Sequence, residues 1–186
     1  MDVYVLNGLS DRDTEYNVIL QKLIRALSND ANVEVANLKE KEIDPCLGCF
    51  GCWVKTPGIC VIDDYGREAA RKAINSDLLI YLSPVRFGGF SSTLKRAVDR
   101  MIPNILPYFR KVNGEIHHKQ RYKNRHDIIG IGLLDTANNE DEEIFSQMIK
   151  RIGINMGVKN NSFFLYKNVS DERLDEDIEK ICRMVK

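Results

Sequence analysis

No stretch of this sequence stays apolar for long enough to cross a bilayer. The longest uninterrupted run, residues 128–134, has seven members, where a membrane helix needs about 20. Neither sign of charge is in surplus. Lys and Arg number 27, Asp and Glu number 27, and the formal net charge is zero. Proteins built to grip nucleic acid or an anionic membrane usually carry a basic excess, so neither partner is expected. The opening Met1-Asp2-Val3-Tyr4 is acidic and soon polar, unlike a secretory leader. Internal repeats and low-complexity tracts are missing. So are Gly-x-Gly-x-x-Gly and the P-loop consensus, which leaves a Rossmann dinucleotide site and an ATPase unsupported. No Ser, Cys or His arrangement for nucleophilic catalysis is visible. What remains is a soluble, cytoplasmic single domain. Its 186 residues, 44% hydrophobic and 29% charged, suffice for one full core and not for two.

The five cysteines are unevenly placed. Cys46, Cys49, Cys52 and Cys60 fall within fifteen residues, and Cys182 stands alone near the end. A secreted disulfide scaffold spreads its cysteines to staple distant segments. A tight cluster in an otherwise ordinary chain points to metal binding or redox chemistry. Three cysteines at a spacing of three, separated by glycines, can wrap thiolates around one small centre, and the fourth returns after a Thr56-Pro57-Gly58 turn. The run is closer to an iron–sulfur pattern than to a zinc ribbon, which pairs two knuckles across a longer gap. A [4Fe–4S] cluster, free thiols or a labile disulfide, and zinc all stay open. Cys182 lies on the apolar stripe of a helix and is expected in the core.

Apolar runs at 3–6, 33–38, 78–85, 128–134 and 162–166 read as strands, several apolar on consecutive residues as in sheets covered on both faces. Between them lie amphipathic stretches, at 16–27, 64–75, 94–102, 144–152 and 174–185. Ser170 is the expected N-cap of the last. Five strands alternating with five helices predict an α/β fold with a parallel sheet and right-handed crossovers. Ligands in such sheets bind beyond the carboxyl ends of the strands, here at residues 7–15, 83–92 and 134–139. Two connections, 39–63 and 107–126, are longer than structureless loops usually are. The first carries the cysteine cluster. The second is a basic insertion, six bases against one acid over residues 110–125. Acids gather elsewhere: five over 135–143 and six over 171–179.

The turn after the first strand, Asn7 to Glu15, bears hydroxyls and opens onto a helix, an arrangement that suits a phosphate. It serves equally as a helix cap built on Ser10 and Asp13. Its three acids work against an anion: a carboxylate about 5 Å from a phosphate charge costs ~3 kcal/mol at an effective dielectric of 20. The site therefore requires Arg12 to face the anion and the acids to face water. After the third strand, Pro84 stiffens the exit, Gly88 and Gly89 permit close approach of a flat ligand, and Phe87 or Phe90 offers an aromatic face. A short polar segment at 134–139 supplies a third wall. One phosphate cradle with two platforms suits a mononucleotide with a planar ring, such as FMN. His117 and His118 beside Glu115 diverge as neighbours do, and read as an exposed or subunit-interface segment.

Three stretches resemble the superfamily of NADPH-dependent FMN reductases and iron–sulfur flavoproteins. They are the cysteine run leading to Asp63-Asp64, residues 83–100 (SPVRFGGFSSTLKRAVDR) and residues 114–122 (GEIHHKQRY). The resemblance implies a flavodoxin-like three-layer sandwich with a five-stranded sheet ordered 2-1-3-4-5. It implies FMN phosphate on Ser10, Arg12 and Thr14, the flavin ring along Pro84, Val85, Arg86, Phe87, Gly88 and Gly89, and Asp135 at the third wall. It further implies Cys46, Cys49, Cys52 and Cys60 as ligands of a cluster, and NAD(P)H as donor to a small-molecule or protein electron acceptor. A homodimer or homotetramer is expected. The phosphate loop departs from the family's Gly-Ser-x-Arg in having Leu9 after Gly8. The competing expectation is a flavodoxin-like protein that has lost tight FMN binding and serves in metal binding or redox sensing.

Overall fold

Alternate residues of the central strands feed two different cores. Val3, Val5, Leu78, Ile80, Leu82, Ile129 and Ile131 point to one face, and Tyr4, Leu6, Leu79, Tyr81 and Ile128 to the other. All are fully or almost fully buried, which accounts for their unbroken apolar runs. The computed structural model describes residues 1–124, 126–134 and 139–185. In chain order the elements are β1 (Asp2–Asn7), α1 (Asn17–Leu27), β2 (Asn32–Asn37), α2 (Gly51–Val54), α3 (Tyr65–Asn75), β3 (Leu78–Arg86), β4 (Gly89–Phe90), α4 (Ser92–Asp99), β5 (Ile105–Val112), β6 (Glu115–Gln120), β7 (Asp127–Leu133), α5 (Asn139–Met156), β8 (Asn161–Tyr166) and α6 (Leu174–Met184).

The parallel sheet runs β2-β1-β3-β7-β8, the expected 2-1-3-4-5 order once the short antiparallel strands are set aside. Helices α1 and α6 cover the first face, while α3, α4 and α5 cover the second. Glycines in β7 set how closely α5 approaches: a Cβ on Gly130 would stand 2.4 Å from Ile149 Cδ1. Chain order reverses between β1 and β3, so the carboxyl ends of these two strands open onto the crevice where such sheets take ligands.

Four expectations need correction. Residues 83–92 are not an open loop: β3 continues to Arg86 and turns back through β4, with Arg86 opposite Gly89. The two turn residues, Phe87 and Gly88, both have positive φ (51° and 71°), as a right-handed hairpin twist requires. The 107–126 connection is likewise a hairpin, β5 against β6, turning at Asn113 and Gly114 with φ of 49° and 90°. Asn-Gly is a strong two-residue turn signal. Ser170 does not cap α6, whose N-cap is Arg173; the preceding turn is closed by Asp171, which accepts the Arg173 N–H. Finally, His117 is buried rather than exposed. Its Nδ1 is 2.7 Å from Asn155 Oδ1 on α5, and its Nε2 is 3.1 Å from Glu115, so the hairpin is pinned to the body.

His126, just ahead of β7, is almost fully buried, and neither ring nitrogen has a hydrogen-bond partner among the described residues. Burial pushes its pKa down to about 4. The unfolded chain takes up this proton near pH 6.5, whereas the folded chain resists it until about pH 4. Stability therefore falls as pH drops through that window and is fully present above it. Urea midpoints measured at steps across the window will show this slope, and His126→Leu will flatten it.

Candidate functional site

The floor of the crevice is laced together by short polar links. Gly8 N–H donates to Leu82 O at 2.8 Å, drawing the end of β1 onto β3. Ser91 Oγ donates to Gly8 O at 3.0 Å and accepts the Leu94 N–H at the start of α4. Ser91 N–H in turn donates to the buried Ser83 Oγ at 2.8 Å. A Cβ at Gly8 would lie 2.7 Å from that of Leu94, so only glycine lets the loop run this close to α4.

On this floor stands a cluster of donors around one anion, and the anion belongs to the chain. Ser10 donates through its N–H at 2.8 Å and its Oγ at 2.5 Å to the same oxygen of Asp13. Arg86 Nη2, from the end of β3, is 3.2 Å from the other oxygen. Asp13 is only 3% exposed. The expected orientation is thus inverted: Arg12 and Thr14 are exposed, and an acid faces inward. Asp11 does face water, where a hydrogen bond from Lys39 at 2.6 Å holds its pKa below the usual carboxylate range.

Beside this cradle the β3–β4 hairpin lifts Phe87 into solvent, 97% exposed. A bulky residue in the left-handed region costs ~1–2 kcal/mol, so the fold spends stability to hold an aromatic ring out at the crevice. Gly88 passes under α5, where a Cβ would meet Ile144 Cγ2 at 2.5 Å. Gly89 is in β4. Pro84 and Val85 are buried within β3. Asp135 lies outside the described residues.

The cysteine loop occupies a neighbouring edge. Cys46 and Cys49 are exposed, Cys60 is half-buried, and Cys52 is buried on α2. Burial pushes the Cys52 thiol pKa up, and the charges of Cys60, Cys46 and Cys49 push the same way, which places all four within electrostatic reach. Their thiols are not converged: among the described residues no three His, Cys, Asp or Glu side chains are gathered as a metal requires. The donor set has the right chemistry for iron and sulfide, and the exposed Cys46 and Cys49 must turn inward to complete it.

What fixes this loop is Arg100, the last side chain of the 83–100 stretch and 1% exposed. Its guanidinium grips both Asp64 oxygens at 2.7 and 2.8 Å and donates to Asp44 O and Ile62 O. The Cys60 side chain is near enough for its charge to hold the guanidinium protonated. Asp64 is the N-cap of α3, accepting the Gly66 N–H. Burial alone would raise the Asp64 pKa; the hydrogen bonds from Arg100, Asp44 N–H and Gly66 N–H outweigh it and hold the carboxyl below its ordinary value. Outside, Arg67 ties Cys60 O and Val61 O to α3. Between α3, the cysteine loop and Tyr122 lies a cavity of about 630 Å³, walled in part by Cys60, Arg67, Arg71 and Asn104. Sequence reading offered the Ser10–Asp13 pairing as a helix cap, and the structure forms that pairing; the reading missed the Arg100 clamp and this cavity. Only the Asp63-Asp64 and Asp99-Arg100 pairs within the resembling stretches signalled any of them.

Residues 1–119 match the pattern of the NADPH-dependent FMN reductases, and the chain belongs to that family. A curated relative, an iron–sulfur flavoprotein of Methanocaldococcus jannaschii, is 33% identical over 104 residues, 55% of this chain. The match spans about half of that relative's length, 53%. The fold is shared with an NAD(P)H:quinone oxidoreductase of Methanothermobacter marburgensis, with a TM-score of 0.68 at 15% identity over 99% of this chain and 96% of that one. It is shared also with an FMN-dependent NADH-azoreductase of Bacillus anthracis solved with FMN, with a TM-score of 0.61 at 13% identity over 100% and 99% of the two chains.

Replacing Asp64 with Ala leaves a buried guanidinium unpaired, a loss of about 3–5 kcal/mol. Urea unfolding will register it. Thiol labelling of Cys60 will accelerate in the same variant, because both ends of the cysteine loop are released together.

Proposed function

We propose that the protein is an FMN-dependent oxidoreductase of the NAD(P)H-linked flavin reductase or iron–sulfur flavoprotein type. The observation that carries this reading is the anion cradle of Ser10 and Arg86 beside the exposed Phe87, at the point where strand order reverses. Its donors are of the kind that hold an anion, and the anion they hold is the chain's own Asp13 carboxylate. Family membership supports the reading, and so do the names of the iron–sulfur flavoprotein and FMN-bound relatives.

FMN, when bound, supplies the redox chemistry, accepting a hydride from a nicotinamide and passing electrons on. The chain's share is placement. The turn that carries Ser10, Arg12 and Thr14 would lie at the flavin phosphate, with Ser10 and Arg86 already engaged by Asp13. The hairpin from Pro84 to Gly89 offers backbone groups and the Phe87 ring to the isoalloxazine, and Asp135 belongs to the third wall. Because the donor carries its own hydride, no side-chain acid or base is assigned. Cys46, Cys49, Cys52 and Cys60 would hold a [4Fe–4S] cluster, with the Arg100 cation beside Cys60 offsetting thiolate charge. No described helix is long and apolar enough to cross a membrane. A cytoplasmic location, a single domain, a homodimer or homotetramer and a small-molecule or protein acceptor complete the proposal.

Anaerobic purification, reconstitution with FMN, iron and sulfide, and a visible spectrum test it. The expected result is a two-banded flavin spectrum, oxidation of NADH or NADPH, and iron that is lost in Cys52→Ser while flavin stays. A chain that takes up no flavin under these conditions would falsify the enzyme reading.

Phe87→Gly keeps the positive φ and removes only the ring. Flavin binding will weaken about two- to tenfold, in proportion to the ~0.5–1.5 kcal/mol of an aromatic contact. FMN and riboflavin will be affected alike in fluorescence titrations, because the ring is what they share.

A further inference from the structure

The cradle beside β1 has three convergent donors and one occupant. Ser10 N–H, Ser10 Oγ and Arg86 Nη2 all end on the Asp13 carboxylate. Arg12 N–H is directed at Ser10 Oγ, so the serine hydroxyl is engaged from both sides. The Asp13 backbone is fixed as well: its N–H donates to Ser10 O at 3.1 Å, and its carbonyl accepts the Tyr16 N–H at 3.1 Å. The carboxylate is therefore seated by the turn itself and locked by a base from another element.

We propose that Asp13 is an internal occupant of the phosphate cradle, so that the chain recognises the flavin ring and discriminates little between FMN and riboflavin. The proposal rests on the flavin reading of this crevice and deepens it by naming the ligand class. A phosphate entering the cradle meets a full negative charge where the donors should be. Either Asp13 swings out, giving up two hydrogen bonds from Ser10 and the Arg86 pair, or the phosphate stays outside among Arg12, Thr14 and solvent. Both routes cancel most of what a phosphate contributes to binding. The ring site is not affected in this way, because Phe87 and the hairpin backbone are already presented. Flavin then exchanges freely, as a diffusible ligand of this site rather than a retained group.

Asp11 supplies a contrast within the same turn. It carries the same charge two residues away, but it is exposed and paired with Lys39, and no cradle donor reaches it. If charge alone weakened phosphate binding, Asp11 and Asp13 would matter equally. If occupancy is the cause, only Asp13 matters.

The test is equilibrium titration of the full chain with FMN and with riboflavin, followed by flavin fluorescence, for wild type, Asp13→Asn, Asp13→Ser and Asp11→Asn. Asparagine keeps the shape and an acceptor for Ser10; serine empties the cradle. Wild type is expected to bind the two flavins within about threefold of each other. Asp13→Ser should tighten FMN by about tenfold or more, and Asp13→Asn, which drops the charge but still fills the cradle, by less. Riboflavin affinity should not move, and neither should either affinity in Asp11→Asn. Inorganic phosphate should compete with FMN in the Asp13 variants and not in wild type.

A wild-type preference for FMN over riboflavin of more than about tenfold would overturn the proposal, and this comparison needs no variant to fold. So would unchanged or weaker FMN binding in Asp13 variants whose circular dichroism is native. In those cases flavin is still bound and the enzyme reading survives. Failure of wild type and both variants to bind either flavin removes the enzyme reading along with the proposal. FMN binding that appears only in the Asp13 variants supports the proposal in its strongest form.

Discussion

The Arg100–Asp64 pair is the constraint on which the functional edge of this molecule depends. A guanidinium at 1% exposure has given up its water, and the cost is recovered only by a bidentate partner and two backbone carbonyls. Those partners are not random. Asp44 precedes the cysteine run, and Ile62 and Asp64 follow it, so one side chain from the end of α4 closes a loop of some twenty residues at its neck. Between the necks the loop has little apolar burial of its own: Leu47, Phe50, Val54 and Ile59 are exposed. A loop of this kind is not held by a core and must be held by directed bonds. Gly66 is part of the same solution, since a Cβ there would come within 2.9 Å of the Arg100 guanidinium carbon.

The sheet was legible in the sequence because its information is local. Five apolar runs bounded by polar residues predicted five strands within a residue or two of where they stand, and amphipathic spacing found the helices between them. The hairpins were harder for a physical reason. Phe87-Gly88 is a turn written with an aromatic, whose positive φ is imposed by α5 passing over Gly88 and by the pairing of Arg86 with Gly89. Nothing in the local pattern announces it. Asn113-Gly114 does announce a turn, but the composition around it reads as a basic insertion. What buries His117 is Asn155, 38 residues away on α5, and such partners are invisible in a local window.

The site shows a different kind of failure. Sequence reasoning placed an external anion in the first loop and oriented the charges around it, with Arg12 inward and the acids outward. The Coulomb argument was sound, but it assumed that the anion comes from outside. The chain satisfies the same electrostatics with its own carboxylate, and once Asp13 fills the cradle, Arg12 has no reason to turn in. Charges that look like a crowd of acids are then answered one by one from distant elements: Asp11 by Lys39, Asp13 by Arg86, Asp64 by Arg100.

The same local pairing gives a zero net charge its structural meaning. Were the total neutral only because a basic hairpin and acidic helices happened to cancel, the crevice would lie in a strong field. Instead Asp11 and Asp13 at the crevice each have a base within hydrogen-bonding distance, and Glu115 on the hairpin is met by Arg151 of α5 at 2.6 Å. Close pairs of opposite charge project a field that decays within a few ångströms, faster still in salt. What the crevice then presents at longer range is shape and aromatic surface. Phe87 stands on one side. On the cysteine loop Phe50 stacks on Trp53 at 5.2 Å, and Trp53 leads through His118 to Phe109 on the hairpin. The Trp53 indole N–H, bonded to Ile105 O, fixes this ladder to the base of β5. A flat, uncharged ring system is the ligand that such a surface rewards, and a phosphate is the part of a flavin that it rewards least.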